Sequence, residues 1–230
     1  MKIRSIRYPE EGEQRMKEIV NRSNTRATGK YPSWKMGRFM QWETVDHLKA
    51  FRSLDADSKV HSFEEQPLLI EYESGGFLHI ERPHILVVTG HQKELWTIKK
   101  SLETFNRIQQ AEQEELSLHL LRHGYLRKTV MAETLEEEPR MGNQMKLLRL
   151  GRCQVSSLER EAIRHFFMKR SGVMTWGEIL GAEVGPIGKN IICRLVLEGL
   201  VHFDITKFWT NLTTFYWVNG GSNLMGVEFQ

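Results

Sequence analysis

Five short apolar segments, rich in β-branched and aromatic residues, follow one another between residues 60 and 98. Turn-forming residues such as Ser74-Gly75-Gly76 separate them, and this pattern predicts strands joined by short connections. The predicted strands are Val60–Phe63, Leu68–Tyr72, Phe77–Ile80, Ile85–Val88 and Leu95–Ile98. A chain that places so many strands in succession must build a sheet in this region.

Helical patterns flank these strands on both sides. Before them, apolar residues recur at three-residue intervals from Trp42 to Leu54. After them, a helix is predicted from about Leu102 to Leu121. Helices laid against a mixed sheet define an α/β fold.

Composition indicates an ordinary cytoplasmic protein. The chain has 230 residues, of which 40% are apolar and 27% are charged. Apolar runs fall short of the ~18 residues that span a bilayer, and the N-terminus continues into charged residues instead of a secretory core. We therefore expect no membrane partner, and we expect Cys153 and Cys193 to be reduced core residues.

The net charge of +3 is small, but the cations are unevenly distributed. The stretch from Asn21 to Met40 contains no Asp or Glu, and aromatic and turn residues interrupt its cations. This composition favours an ordered arm along DNA phosphates, and a basic surface loop without a partner is the alternative. The five cations are Arg22, Arg26, Lys30, Lys35 and Arg38.

The acidic stretch Glu133–Pro139 is the best candidate for a linker between two domains. We accordingly predict a first domain at residues 1–132, a linker at 133–155 and a second domain at 156–230.

The second domain is predicted to contain three helices and then a β-hairpin. Capping-box spacing at Ser156 and Thr175 opens the first two helices, and the third runs from about Pro186 to Glu198. This order is typical of a winged helix, whose third helix normally enters the major groove of DNA. A winged helix that docks proteins without touching DNA is the alternative. Candidate DNA contacts on the third helix are Lys189, Asn190 and Arg194.

Three motifs resemble the N-terminal domain of the TnsA endonuclease subunits of heteromeric transposases. They are Thr28–Arg38, Trp42-Glu43-Thr44 and Val60–Pro67, within a region of similarity of about residues 26 to 99. The resemblance implies a restriction-endonuclease-like mixed sheet with flanking helices, followed by the C-terminal winged helix. In such nuclease cores, a carboxylate after a Pro on one strand and a Lys at the end of the next share a magnesium ion and a phosphate.

The resemblance also assigns a catalytic constellation, in which three positions are substituted. Glu43 and Lys99 match the family, whereas His47 replaces a helical Glu, His84 replaces the Asp of Pro-Asp, and Thr97 replaces a Gln or Glu. Magnesium requires oxygen ligands and is poorly served by imidazole. We therefore expect a degenerate site without a metal, with magnesium relevant only if the site is active.

The function implied is that of a DNA-binding TnsA-like subunit of a heteromeric transposase or related DNA mobilisation complex, with degenerate nuclease activity. Its partners would be double-stranded DNA, a transposase subunit and an ATPase regulator. Two alternatives stay open. One is an active, metal-dependent endonuclease that cuts the 5′ ends of a transposon, and the other is a winged-helix regulator that uses the nuclease scaffold for protein contacts.

Overall fold

The computed structural model describes residues 1–20, 27–90, 92–101, 106–181 and 188–218. The chain divides into two compact units, Met1–Glu137 and Glu138–Gln230. Within the described ranges, no helix is both long and apolar enough to cross a membrane.

Unit 1 is a mixed α/β unit built from several sheets and flanking helices. Its elements are β1 (Lys2–Arg7), β2 (Gly29–Ser33), β3 (Arg38–Trp42), α1 (Val45–Ala56), β4 (Val60–Glu65), β5 (Leu69–Ser74), β6 (Phe77–Glu81), β7 (Ile85–Thr89), β8 (Gln92–Lys99), α2 (Arg107–Arg122), β9 (Tyr125–Met131) and a 3-10 helix (Ala132–Leu135). The five strands predicted between residues 60 and 98 are confirmed, and so is the mixed α/β class.

The central sheet of unit 1 has the strand order β4-β7-β8-β9. The pairs β4–β7 and β7–β8 are antiparallel, whereas β8 and β9 are parallel. Parallel neighbours need a crossover connection, and α2 lies in the connection between these two strands. Unit 1 also contains a second sheet of three strands, in the order β1-β5-β6, and a two-stranded hairpin, β2-β3.

Alternating residues of the central sheet pack into two hydrophobic cores. Ile85 and Val87 of β7 belong to the cluster that contains Phe51 of α1. Leu86, which lies between them in sequence, packs against the cluster that contains Leu116 of α2. This alternation follows from the two-residue period of a strand, and it leaves the sheet covered by α1 and α2.

The boundaries of α1 and α2 follow from their caps. Thr44 caps α1 and Asn106 forms a capping box with Gln109 at the start of α2. Trp42, the first residue of the predicted helical pattern, therefore belongs to β3. The first residues of the predicted second helix, 102–105, lie outside the described residues.

Unit 2 consists of helices around a small antiparallel sheet. Its elements are α3 (Arg140–Gly151), α4 (Ser157–Met168), β10 (Val173–Thr175), α5 (Trp176–Leu180), α6 (Gly188–Leu197), β11 (Val201–His202) and β12 (Thr214–Trp217), with the sheet order β10-β12-β11. The predicted capping boxes at Ser156 and Thr175 are both present. Strand β10 was not predicted.

Most of the range predicted as a linker, 133–155, is helical. The 3-10 helix buries Leu135 in the core that contains α1, and α3 belongs to unit 2. Leu147 and Leu148 of α3 are buried, and α3 packs against α6. The acidic residues mark the junction of the units, but the apolar residues that follow them make α3 part of a core.

Candidate functional site

The N-terminus of α1 positions an acidic residue and a histidine. The Thr44 side chain accepts a hydrogen bond from the His47 backbone N–H at 3.3 Å, which starts the helix at Val45. Glu43 consequently lies just before the helix, and its carboxylate accepts a hydrogen bond from Lys17 Nζ at 3.3 Å. His47 lies in the first turn and is buried.

His84 directly precedes β7 and is held by three hydrogen bonds. Its backbone N–H donates to the Trp96 carbonyl at 2.8 Å, and its carbonyl accepts from the Gln66 N–H at 3.0 Å. Its Nδ1 accepts from the Ile98 N–H at 3.0 Å. An Nδ1 that accepts a hydrogen bond leaves the proton of a neutral imidazole on Nε2.

The rings of His47 and His84 pack against each other, with centroids 4.6 Å apart and planes tilted by 56°. Burial is the main cause that lowers the pKa of His47 to about 4, and the charge of a protonated His84 contributes to this shift, whereas Glu43 and Asp46 oppose it. Burial also lowers the pKa of His84, with opposition from Glu43 and reinforcement from Lys99. The two imidazoles therefore form a neutral pair at pH 7.

Four of the five residues that the TnsA resemblance assigned to the catalytic constellation are linked by the ring contact of His47 and His84 and by the charges of Glu43 and Lys99. Glu43 acts electrostatically on both histidines, and Lys99 acts on His84. Thr97 is two residues before Lys99 on β8, and both line a cleft of about 890 Å³. The other walls of this cleft come from β6, α2 and β9, and Glu43, His47 and His84 are not among the residues that line it.

The donor atoms at this site do not fit magnesium. Nδ1 of His84 is already engaged by the Ile98 N–H, and Glu43 is paired with Lys17. Across the described part of the chain, no group of three or more His, Cys, Asp or Glu residues is arranged to hold a metal ion. Magnesium needs near-octahedral oxygen coordination, which two imidazoles and one paired carboxylate cannot supply.

Two cations of the predicted basic arm, Lys35 and Arg38, are engaged in contacts within the protein. Lys35 Nζ donates to the backbone carbonyls of Leu54, Asp57 and Val60 at 3.1, 2.6 and 2.6 Å. Burial lowers its pKa to about 8, with opposition from the carboxylates of Asp55 and Asp57. Lys35 therefore ties the hairpin β2-β3 to the end of α1.

Arg38 is likewise engaged within the protein. Its guanidinium makes a two-pronged contact with Glu65, at 2.9 and 2.8 Å, and Glu65 is almost fully buried. Arg15 Nε donates to the same carboxylate at 3.0 Å. A buried carboxylate requires cationic or hydrogen-bonding partners. Glu65 obtains them from Arg15 and Arg38, and no sequence motif had indicated Glu65 as the residue that binds Arg38. Lys30 is exposed, whereas Arg22 and Arg26 lie outside the described residues.

Helix α6 presents a small polar face beside a large buried one. Ile191, Ile192, Leu195 and Val196 pack inward as predicted. Arg194 Nε donates to Glu198 at 2.7 Å, and Arg160 also binds this carboxylate. The Asn190 Oδ1 is buried and has no hydrogen-bond partner among the residues that the structure describes. Lys189 is partly exposed, as are the other two candidates.

Neither protein-family models nor curated proteins gave a match to this chain.

Proposed function

We propose that this chain is a DNA-binding, TnsA-like subunit of a heteromeric DNA mobilisation complex, whose nuclease-like site binds a phosphate without cutting DNA. In this account, unit 1 is a restriction-endonuclease-like domain and unit 2 is a winged helix. Its partners are double-stranded DNA, a transposase subunit and an ATPase regulator, and it acts in the cytoplasm.

The observation that carries the proposal is that the ring contact of His47 and His84 lies at the same end of the mixed sheet as Lys99, whose charge acts on His84. His84 follows Pro83 immediately before β7, and Lys99 is the last residue of the adjacent strand β8. This is the placement expected of the Pro-Asp and Lys motifs of a nuclease core. The order of the strands and the two covering helices are compatible with the same interpretation.

The chemistry of these residues supports binding in preference to cleavage. Metal-assisted attack on a phosphodiester requires an ion that activates water and neutralises the developing charge, which is worth several kcal/mol. Two neutral imidazoles in the place of carboxylates do not hold such an ion. A lysine ammonium still attracts a phosphate as a point charge.

The proposal is tested by DNA affinity as a function of salt concentration. We expect Lys99→Ala to weaken the binding of duplex DNA and to lower the slope of log affinity against log salt by about one unit. Lys93→Ala is the matched control, because Lys93 is exposed on the same strand near its other end. The absence of DNA binding by the unmodified chain, or equal slopes for both variants, would contradict the proposal.

A further inference from the structure

Strand β6 is the outer strand of the sheet β1-β5-β6. It pairs with β5 through five consecutive residue pairs, from Ile70–Glu81 to Ser74–Phe77. Within the described ranges, no strand pairs with its other edge. The peptide groups on that edge can bind an extended polypeptide by continuing the sheet.

The exposed edge of β6 is apolar and lacks the usual protection. Phe77, Leu78 and Ile80 are 73%, 63% and 49% exposed. Proteins normally protect edge strands with lysines, prolines or bulges. The opposite edge of the same sheet is protected in this way, because β1 carries Lys2, Arg4 and Arg7 and a register shift. The contrast between the two edges favours β6 as the edge that a further strand would extend.

We propose that the partner on this edge is a second copy of the chain, paired through antiparallel β6 strands around a two-fold axis at His79. In this register, Leu78 of one copy lies opposite Ile80 of the other, twice in each dimer. Residues directly opposite each other in an antiparallel pair share a face, so each pair is apolar on both sides.

The charges of β6 are compatible with this symmetric pairing. Glu81 lies opposite Phe77 of the second copy, and Arg82 lies opposite Gly76. In this register, no charged side chain of β6 or of Arg82 therefore lies opposite a side chain of like charge. The Glu81 carboxylate is already bound by Arg127 at 3.0 Å, which leaves the aliphatic part of the side chain to contact the phenyl ring.

The surface beside β6 provides additional area for a dimer. A five-residue strand is only about 17 Å long, and a stable dimer buries roughly 800 Å² on each partner. Ile80 lines the same cleft as Leu118 and Leu121 of α2, which are 58% and 55% exposed. An added strand would therefore cover apolar surface that extends from β6 to α2.

Molecular mass in solution tests the proposal with the 230-residue chain. We expect twice the monomer mass of 27.0 kDa by light scattering at tens of micromolar. Leu78→Lys should raise the dimer dissociation constant roughly tenfold or more, since it replaces two apolar contacts with charges. Leu78 faces Glu73 within its own sheet, so the monomer should still fold. Phe39→Lys is the matched control, because Phe39 is 61% exposed but lies on β3.

A cysteine at the proposed axis tests the register. His79→Cys should form an intermolecular disulfide under mild oxidation, because residues opposite each other across paired strands have suitable Cα separations. A monomeric unmodified chain would overturn the proposal. So would a dimer that responds equally to Leu78→Lys and Phe39→Lys, and so would the absence of the crosslink at position 79. None of these results depends on the DNA binding proposed above.

Discussion

The imidazole rings of His47 and His84 lie with their centroids 4.6 Å apart, where the TnsA resemblance places two acidic residues. His47 comes from the first turn of α1, and His84 precedes β7. Two carboxylates so close together would repel each other unless a cation lay between them. Two neutral imidazoles pack without a cation, so the ring contact of His47 and His84 does not require a bound ion.

This contact predicts that the protein loses stability in mild acid. Because the pKa of His47 is lowered from 6.5 to about 4, the unfolded chain binds a proton that the folded chain excludes between these values. The free energy of unfolding should therefore fall as the pH decreases from about 7 to about 4. One pKa unit corresponds to about 1.4 kcal/mol, so His47 contributes about 3 kcal/mol to this loss.

Urea unfolding across this pH range measures the effect. His47→Phe should flatten the pH dependence by up to about 3 kcal/mol, because it removes the titrating group and keeps a ring. His61→Phe is the control, since His61 is exposed on β4. A pH dependence that is unchanged in His47→Phe would contradict the neutral pair.

Lys35 is predicted to act as a structural residue. Lys35→Met should lower the free energy of unfolding by roughly 1–3 kcal/mol, because three backbone carbonyls lose their donor. Lys30→Met, on the exposed side of the same hairpin, should change stability by less than about 0.5 kcal/mol. Equal stabilities of the two variants in urea would show that the Lys35 contacts are not formed.

The same hairpin predicts different salt dependences of DNA binding. Lys30→Ala should lower the slope of log affinity against log salt by about one unit if Lys30 contacts a phosphate. Arg38→Ala should leave the slope unchanged, because Arg38 is held by Glu65. A lower slope for Arg38→Ala in a folded protein would contradict this assignment.

In unit 2, we likewise expect one cation, Arg194, to stabilise the fold and another, Lys189, to contact DNA. Arg194→Ala should destabilise the unit, because it removes a partner of Glu198. Lys189→Ala should preserve stability and weaken DNA binding uniformly across sequences, as the loss of a phosphate contact does. Thermal unfolding and binding to two unrelated duplexes measure both effects. A sequence-dependent loss in Lys189→Ala would instead indicate a base contact.

The strands between residues 60 and 98 could be predicted because alternating burial imposes a two-residue period on them. Helices α4 and α5 could be predicted because a capping box leaves a local pattern in the sequence. Strand β1 could not, because its pairing with β5 joins residues about seventy positions apart, as in the pair Lys2–Glu73. Local patterns do not contain such partners.

The candidate site was only partly predictable, for the same reason. The motifs place His47 and His84 in one site, and their rings are in contact, but the sequence does not indicate that burial lowers the pKa of both imidazoles. Lys35 is a structural residue because its ammonium binds three backbone carbonyls of residues 54 to 60. Arg38 is a structural residue because its guanidinium binds Glu65. The sequence pattern did not indicate either contact. A cation in sequence shows its charge but not its partner, so a count of basic residues overestimates the charge available to DNA.

The central claim is tested most directly by incubating the purified chain with supercoiled plasmid and magnesium, and by running the DNA before and after removal of the protein. We predict that the plasmid is retarded while the protein is bound and is still supercoiled afterwards. Magnesium-dependent open-circular product that disappears in Lys99→Ala would contradict the loss of cleavage, and a plasmid that is not retarded would contradict DNA binding itself.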